Sequence, residues 1–413
     1  MLTLFEAPHQ SEKGAMQPQV PLVVDLTAIA PSVSGGVSLV AAGVVSGLSH
    51  HGGRPRCLVA PGTAAEWNLQ FSSSNVSIEE IKIPLRANSL WQVTIRRILP
   101  ESLKRSWVVR LVRSARSRPI AAISGDVTTW FPFHRSVARA RTAVVTVHDL
   151  RVFEADFASP MDQQIISDNV SAASAIVCSW AHPYEHLVEL FPEAATKTFL
   201  VPLPVLNPGL STARPAPDGS EVRILYPAHV TPHKNHEVIL RAMATRPNFW
   251  LTCTGSEVPS HAAYLKKLAQ RLGVASRITW RGFVSTEELE AEYRHAHVLA
   301  MPTRWEAASG PMFEAIVRGL PFVSSNIGPL TAQLRSLNLV MPLFAWDNPA
   351  EFAEAVDAIV NDYAMFRERL ATPGTTLRSR SWPDTAAEYA QVFSWVAGKG
   401  AKPRQLQITA KGR

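Results

Sequence analysis

Two glutamates near the end of the chain, Glu306 and Glu314, lie eight residues apart around an expected helix start. The apolar run 298–301 is typical of a buried parallel strand, while Pro311 and Gly319 suit the first helical position and the position just past the helix end. Glu306 is therefore expected in the loop that leaves the strand, and Glu314 one turn inside the helix.

The loop between these glutamates offers a second kind of chemistry. The backbone amides of Ser309 and Gly310 lie at the expected helix N-terminus, where free N–H groups and the helix dipole attract anions. The flanking carboxylates can accept hydrogen bonds from hydroxyl groups. The segment therefore indicates a ligand that is anionic in one part and rich in hydroxyls in another, as a nucleotide-sugar is.

A second polar segment, residues 226–237, joins an expected strand to an expected helix and contains Lys234. A lysine in this position can reach a diphosphate held near the neighbouring helix terminus, although a solvated surface lysine is the alternative. His229, His233 and His236 lack the spacing of a metal site. They are expected to be loop histidines with hydrogen-bond partners, so no metal site is predicted.

Short apolar runs alternate with helical patterns along the chain, which indicates open parallel sheets with helices on both faces. Strands are expected at 22–26, 57–60, 142–147, 175–178, 199–201, 222–226, 250–254, 278–280, 298–301 and 321–324. Helices are expected at 36–48, 161–175, 236–244, 262–272 and 384–396. A further helix, ending near His295, is expected to open with a capping box at Ser285 and Glu288.

The predicted fold class is α/β, with two doubly wound Rossmann-like domains facing across a cleft. The stretch 203–220 is rich in proline, glycine and small polar residues, as a linker is. The predicted parts are an N-terminal domain at 20–205, a linker at 206–220, a C-terminal domain at 221–383, a helix at 384–397 and a basic tail at 398–413. Ligands bind at the carboxyl ends of strands in such sheets, so the cleft is the expected site.

Composition narrows the class of protein. With 413 residues, of which 46% are hydrophobic and 18% charged, the chain is long enough for two domains. Cys57, Cys178 and Cys253 follow no disulfide or zinc pattern, so a reducing cytoplasmic location is expected. Residues 1–19 lack the apolar stretch of a signal peptide, and no run reaches the ~20 apolar residues that span a bilayer.

The net charge of +7 is concentrated in one segment. Residues 86–118 contain nine basic side chains against the single acid Glu101, which makes +8 and leaves −1 elsewhere. The basic residues are Arg86, Arg96, Arg97, Lys104, Arg105, Arg110, Arg113, Arg116 and Arg118. A basic amphipathic helix can lie on an anionic membrane surface, which would make the protein peripheral to the inner face of the membrane. The alternative is a helix that packs on the N-terminal sheet. No nucleic-acid motif is present, so nucleic acid is not an expected partner.

Four segments occur in an order and spacing that resembles the retaining glycosyltransferases of family 4: residues 226–237, 255–256, 282–284 and 306–314. The resemblance covers about 21–396 and is strongest in the C-terminal half. It implies the GT-B fold, with a C-terminal helix that crosses back to the N-terminal domain. It also implies transfer of a hexose, such as mannose, from a UDP- or GDP-linked donor to a saccharide or lipid-linked saccharide acceptor, in polysaccharide or glycolipid synthesis. Neither a cofactor nor a metal is implied.

The resemblance also implies roles for particular residues. Glu306 would face the sugar, Glu314 the ribose hydroxyls and Lys234 the donor diphosphate. The other donor-binding positions are Gly35, Gly36, His229, Gly255, Phe283, Val284, Ser309 and Gly310. His148, at the end of a strand, would contact the transferred sugar and is a catalytic candidate together with Glu306 and Lys234. Stabilisation of the leaving diphosphate would be the main catalytic effect.

Two departures from the family pattern keep other functions open. His229 stands where an arginine is usual, and Ala307-Ala308-Ser309 replaces a glycine-aromatic-glycine sequence. A non-catalytic nucleotide-sugar-binding relative and a nucleotide-sugar epimerase of the same architecture are therefore the alternatives. An oxidoreductase is not expected, because the G-x-G-x-x-G pattern is missing after the first strand.

Overall fold

The chain passes between two structural units twice, after Leu203 and after Arg380. The computed structural model describes residues 20–31, 36–71, 75–82, 109–206, 208–209 and 216–403. Of these, the residues up to Leu203 and from Ser381 onward form one unit, here called the N-terminal unit. Residues Pro204–Arg380 form the other, the C-terminal unit.

The N-terminal unit is built on a parallel sheet with the strand order β3-β2-β1-β4-β5-β6-β7. Its strands are β1 (Leu22–Asp25), β2 (Arg56–Val59), β3 (Ser77–Glu80), β4 (Thr128–Phe131), β5 (Ala143–Val147), β6 (Ala175–Cys178) and β7 (Thr198–Leu200). Its helices before residue 203 are α1 (Gly36–His50), α2 (Ala64–Gln70), α3 (Val109–Ser124), α4 (Pro160–Ala172) and α5 (Ala181–Leu190). Strands β1, β4, β5 and β6 are buried along their whole length, as central strands of a parallel sheet with helices on both faces are.

The C-terminal unit contains a second parallel sheet, with the order β10-β9-β8-β11-β12-β13. Its strands are β8 (Val222–Pro227), β9 (Phe249–Thr254), β10 (Ile278–Gly282), β11 (Val298–Met301), β12 (Phe322–Ser325) and β13 (Leu343–Phe344). Its helices are α6 (His236–Met243), α7 (Pro259–Arg271), α8 (Thr286–His295), α9 (Gly310–Arg318), α10 (Gly328–Ser336), α11 (Pro349–Asn361), α12 (Tyr363–Arg369) and α13 (Ala371–Ser379).

The strand order of this second sheet reverses between β8 and β11, which pair directly. In doubly wound sheets the crevice at such a reversal, outside the carboxyl ends of the strands, is where ligands bind. The loop after β8 contains Lys234 and the loop after β11 contains Glu306. The topology therefore brings the two strongest sequence candidates to one edge of one sheet.

The last helix, α14 (Trp382–Val396), belongs to the N-terminal unit, as the predicted return crossing requires. Tyr389 and Phe393 are buried against Trp130 of β4, with ring centres 5.2 and 5.9 Å from the indole. The Tyr389 hydroxyl also lies 3.0 Å from the hydroxyl of Thr146 in β5. Helix α14 is therefore part of the hydrophobic core that includes β4 of the N-terminal unit.

Part of the basic segment is directed into the N-terminal unit. Residues 83–108 lie outside the described ranges, so the membrane prediction is not tested there. In α3, Arg113 is only 7% exposed and forms an ion pair with Asp168. The half-buried Arg116 lies near the buried Asp25, whose carboxyl pKa is raised by burial and partly lowered by that positive charge. At least two of the nine charges therefore act inside the fold. None of the helices in the described ranges is both long and apolar enough to cross a bilayer.

Candidate functional site

Lys234 and Glu306 form an ion pair at the carboxyl edge of the C-terminal sheet. The ammonium nitrogen of Lys234 donates to Oε1 of Glu306, and the two side chains are only 19% and 15% exposed. An ion pair this far from bulk water is screened less than one on the surface. The structure thus joins a cation and a carboxylate that are 72 residues apart in the sequence.

Hydrogen bonds hold the two loops of this pair together. The amide N–H of Arg304 donates to the carbonyl oxygen of His233 at 2.8 Å. The side-chain amide of Asn235 donates to the carbonyl oxygen of Pro302 at 2.9 Å. Asn235 has φ +56°, a left-handed conformation that asparagine tolerates better than most residues. Its turn starts α6 and places Lys234 over the neighbouring loop.

Tyr226, the last apolar residue of β8, fixes the backbone at Lys234. Its hydroxyl donates to the carbonyl oxygen of Lys234 at 2.7 Å. Burial raises the pKa of the Tyr226 phenol well above its usual value, and the negative charge of Glu306 raises it further. The phenol therefore stays protonated and remains a hydrogen-bond donor at physiological pH.

The loops after β8, β9 and β10 meet around Gly255. Its φ is +114°, and a Cβ there would lie 2.7 Å from the carbonyl oxygen of Ala228, so no other residue fits without a backbone shift. The amide of Gly255 donates to the carbonyl oxygen of Gly282 at 2.6 Å. Nδ1 of the exposed His229 lies 2.5 Å from the hydroxyl of Ser256. When that hydroxyl donates, the proton of a neutral His229 is on Nε2, which leaves a donor for a ligand.

Two of the predicted donor-binding residues, Phe283 and Val284, follow Gly282. Phe283 is 85% exposed and Val284 is half-buried. Both lie at the carboxyl end of β10, two strands away from β8 in the sheet order. An exposed phenylalanine at a ligand-binding edge offers a flat apolar surface to a ring.

The amide of Ser309 is not free to bind a phosphate, contrary to the prediction. It donates to Oε1 of Gln333 at 2.7 Å, and the Gln333 side chain donates back to the Ser309 carbonyl at 3.2 Å. The Ser309 hydroxyl caps α9 by accepting from the amide of Met312 at 3.4 Å, and Pro311 has no N–H. The amide of Gly310, the first residue of α9, has no acceptor among the described residues, and a Cβ there would meet nothing within 4 Å. No local pattern pointed to Gln333, because it lies 24 residues away.

Glu314 is held by a residue of α8. The hydroxyl of Tyr293 donates to Oε2 of Glu314 at 2.8 Å. Burial raises the pKa of the Glu314 carboxyl, while this hydrogen bond and the charge of Arg318 lower it in part. Neither Tyr293 nor Arg318 was expected at the site, because neither belongs to a motif with a known partner.

The candidates of the N-terminal unit are His148 and the glycine pair. The Nε2–H of His148 donates to the carbonyl oxygen of Pro132 at 2.8 Å, and burial lowers the pKa of the ring. His148 is therefore neutral, with its proton on Nε2. Gly36 is the exposed first residue of α1, and Gly35 lies outside the described residues. Both His148 and Gly36 stay predicted site residues.

The expectation that the loop histidines have hydrogen-bond partners is wrong for His236. Its side chain is fully buried at the start of α6, and neither ring nitrogen has a hydrogen-bond partner among the residues that the structure describes. The ring packs against Tyr226, with ring centres 4.5 Å apart. Burial lowers the pKa of His236 to about 3. Within the described ranges, no group of three or more His, Cys, Asp or Glu side chains is placed to hold a metal ion.

We expect His236 to make the C-terminal unit sensitive to acid. Its pKa is lower in the folded state than the ordinary 6.5 of the unfolded chain, so stability is complete above 6.5 and falls as the pH drops toward 3. Between pH 7 and pH 5 the loss should be about 2 kcal/mol of unfolding free energy. His236→Leu should remove this part of the pH dependence in denaturant titrations at both pH values. His295→Leu, on the exposed end of α8, is the control; an equal effect of both substitutions would contradict the assignment.

The sequence of the C-terminal unit matches a known family. Residues 212–375 fit the family model described as Glycosyl transferases group 1. This region is similar to the domains of group 1 glycosyltransferases. It contains Lys234, Glu306 and Glu314, so the ion pair and the carboxyl held by Tyr293 all lie within the matched residues.

Curated relatives match this chain over less than half of their length. An uncharacterised glycosyltransferase of Methanocaldococcus jannaschii is 29% identical over 179 residues, which are 42% of this chain and 45% of that protein. A D-inositol 3-phosphate glycosyltransferase of Mycobacterium tuberculosis is 27% identical over 201 residues, 47% of this chain and 39% of that protein. The similarity is therefore to part of each relative.

Solved structures resemble this chain over most of its length. Sucrose-phosphate synthase from Thermosynechococcus elongatus has a TM-score of 0.69 at 16% identity, covering 92% of this chain and 100% of that one. The Anabaena protein HepE, solved with UDP-glucose, has a TM-score of 0.64 at 13% identity, covering 92% and 99%. Identities this low establish the fold alone. The structural similarities confirm the predicted GT-B fold of two Rossmann-like domains.

Proposed function

We propose that this chain is a glycosyltransferase that moves a sugar from a UDP- or GDP-linked donor to a hydroxyl acceptor, with retention of the anomeric configuration. One observation carries the proposal: Lys234 and Glu306, which follow the paired strands β8 and β11, form an ion pair inside the region that matches the model of group 1 glycosyltransferases. A cation for a leaving diphosphate and a carboxylate for sugar hydroxyls are groups that such a transfer needs close together. The structural neighbour solved with UDP-glucose supports this donor class.

The ion pair suggests how a donor enters. Without a ligand, Glu306 neutralises the Lys234 ammonium. A diphosphate carries more negative charge than one carboxylate, so we expect it to take over Lys234 and release Glu306 for the hydroxyls of the sugar. The helix-end amide of Gly310 would contact the same phosphates. Glu314 would accept hydrogen bonds from the ribose.

In the proposed reaction the bond between the anomeric carbon and the diphosphate oxygen breaks, and its electron pair leaves with the diphosphate. The acceptor oxygen bonds to the anomeric carbon on the face from which the phosphate departs. The acceptor proton passes to the leaving phosphate oxygen. Lys234 stabilises the charge that develops there, which is the term expected to lower the barrier most. The proposed reaction uses neither a protein nucleophile nor a metal ion.

The acceptor that we propose is a saccharide or a lipid-linked saccharide, in the synthesis of a polysaccharide or glycolipid. A hexose such as mannose or glucose is the proposed transferred group. A non-catalytic nucleotide-sugar-binding protein is the second candidate. It is favoured by His229 in place of the usual arginine and by the changed sequence of residues 307–309.

A donor screen tests the proposed function. UDP, GDP and their glucose, galactose and mannose conjugates would be titrated by calorimetry in the presence of EDTA, followed by assays of donor hydrolysis and transfer to saccharide acceptors. We expect binding of one nucleotide class, slow donor hydrolysis and a product with the donor's anomeric configuration by NMR. Binding without turnover would favour the non-catalytic relative, and donor isomerisation without acceptor would favour the epimerase. If neither UDP nor GDP binds, the proposed function is wrong.

A further inference from the structure

One carboxylate oxygen of Glu314 accepts a hydrogen bond from a fully buried tyrosine. The Tyr293 side chain has no exposed surface, and its hydroxyl donates to Oε2 of Glu314 at 2.8 Å. Burial and the nearby negative charge of Glu314 raise the pKa of the Tyr293 phenol well above its usual value, so the hydroxyl remains protonated. Among the described residues, Oε1 of Glu314 accepts no protein hydrogen bond. The carboxylate thus has one oxygen fixed by the protein and one available to a ligand.

A buried arginine fixes that tyrosine in turn. Arg318 is 1% exposed, and its guanidinium carbon lies 4.4 Å from the centre of the Tyr293 ring. Its Nε and Nη2 donate to Oε2 of Glu290 at 2.9 and 2.6 Å, and its Nη1 donates to the Glu314 carbonyl at 3.0 Å. One guanidinium therefore bridges α8, which carries Glu290 and Tyr293, to α9, which carries Glu314. Gly209 covers it so closely that a Cβ there would lie 2.2 Å from Nη2.

This network also opposes the effect of burial on Glu314. Burial alone favours the neutral carboxyl, whereas the Tyr293 hydrogen bond and the Arg318 charge favour the carboxylate. A neutral carboxyl group is a weaker acceptor of a hydrogen bond from a hydroxyl than a carboxylate is. The same contacts that orient the group therefore keep it in the form that binds hydroxyls best.

We propose that Tyr293 and Arg318 are positioning residues, which hold the Glu314 carboxylate in one orientation for the 2′- and 3′-hydroxyls of the donor ribose. The proposal rests on the proposed function, because it takes a nucleoside diphosphate-sugar as the ligand. Neither residue touches the donor. Both act through Glu314, and the property that they control is the preference for ribose over deoxyribose.

The test compares ribo- and deoxyribonucleotides on Tyr293→Phe, which removes a single oxygen atom. UDP, GDP and their 2′-deoxy and 3′-deoxy forms would be titrated by calorimetry between pH 5 and pH 8. We expect the wild type to bind the ribonucleotide at least about 10-fold more tightly than a deoxy form, since a hydrogen bond to a charged group is lost. In Tyr293→Phe this ratio should fall to within about threefold. Because the pKa of Glu314 rises further without the Tyr293 hydroxyl, ribose preference should also be lost at a higher pH than in the wild type.

Control variants separate positioning from general damage. Tyr363→Phe removes the hydroxyl of another buried tyrosine of the same unit, which donates to the His297 carbonyl at 3.1 Å, and should leave the ratio unchanged. Glu314→Gln should abolish the ribose preference, and adding Tyr293→Phe to it should change nothing more. A folded Tyr293→Phe with the wild-type ratio and pH profile overturns the proposal. So does a wild type that binds UDP or GDP without ribose preference, whereas a wild type that binds neither refutes the proposed function as well.

Discussion

Lys234→Ala is expected to lower kcat/KM for sugar transfer by about 100- to 1000-fold, the usual cost of removing one preorganised group that stabilises a developing negative charge. The same variant should bind the free nucleoside diphosphate more weakly. The Lys234 ammonium, which pairs with Glu306, is the cation that is proposed to contact the phosphates. Steady-state kinetics and calorimetry measure the two effects. Lys266→Ala, which removes a more exposed lysine paired with Glu257, is the matched control and should be near wild type in both.

Glu306→Gln should separate binding from turnover. Without the negative charge, the Lys234 ammonium no longer has a competing carboxylate, so the free nucleoside diphosphate should bind as tightly as to the wild type or more tightly. Turnover should still fall by about 100-fold, since the sugar loses a charged hydrogen-bond acceptor. The specific prediction is that nucleotide binding weakens in Lys234→Ala but does not weaken in Glu306→Gln. Near wild-type turnover in both would refute the assignment of the ion pair as the reaction centre.

The second large effect concerns stability and arises where α1 packs on α14. A Cβ at Gly47 would lie 2.6 Å from the carbonyl oxygen of Trp382 and 2.6 Å from Cβ of Ala386, neither of which can move without shifting the helix. Gly47→Val should therefore destabilise the N-terminal unit by about 3 kcal/mol, the upper end of the usual cost of overpacking. The contact is also tight at Gly43, where a Cβ would lie 2.2 Å from the indole of Trp382.

Release of α14 would expose Tyr389 and Phe393, so the variant should also become sensitive to proteolysis near residue 381. Denaturant titration and limited proteolysis measure the two consequences. Leu39→Val places the same β-branched side chain at a 46% exposed position of the same helix and should change stability by less than about 1 kcal/mol. Equal stability of Gly47→Val and Leu39→Val would show that the helix contact is not tight in solution.

Helix ends near the site could be predicted because they depend on neighbours in the sequence. The capping box at Ser285 is present: its hydroxyl accepts from the amide of Glu288, whose carboxylate accepts from the amide of Ser285. Helix α9 begins at Gly310, and Gly319 ends it with φ +63°. Each of these features is decided within about four residues, so a single sequence is enough to find it.

The ten expected strands are all present, whereas β3, β4 and β13 were not predicted. Strand β3 has the sequence Ser-Ile-Glu-Glu at the edge of its sheet, and no residue of it is fully buried. Strand β4 is buried although it begins with Thr128 and Thr129, because its pairing with β1 and β5 supplies the backbone hydrogen bonds. Neither strand has an apolar run, so both form because of their pairing within the sheet and not because of a local sequence pattern.

The sequence by itself determined which groups stand at the carboxyl edge of the C-terminal sheet: a lysine after β8, a glutamate after β11 and a second glutamate inside α9. The tertiary structure decided what these groups meet. It paired Lys234 with Glu306 across 72 residues, occupied the Ser309 amide with Gln333, and placed Tyr293 against Glu314. Capping and periodicity are local, while the charge and hydrogen bonding of a buried group depend on partners that only the fold brings near.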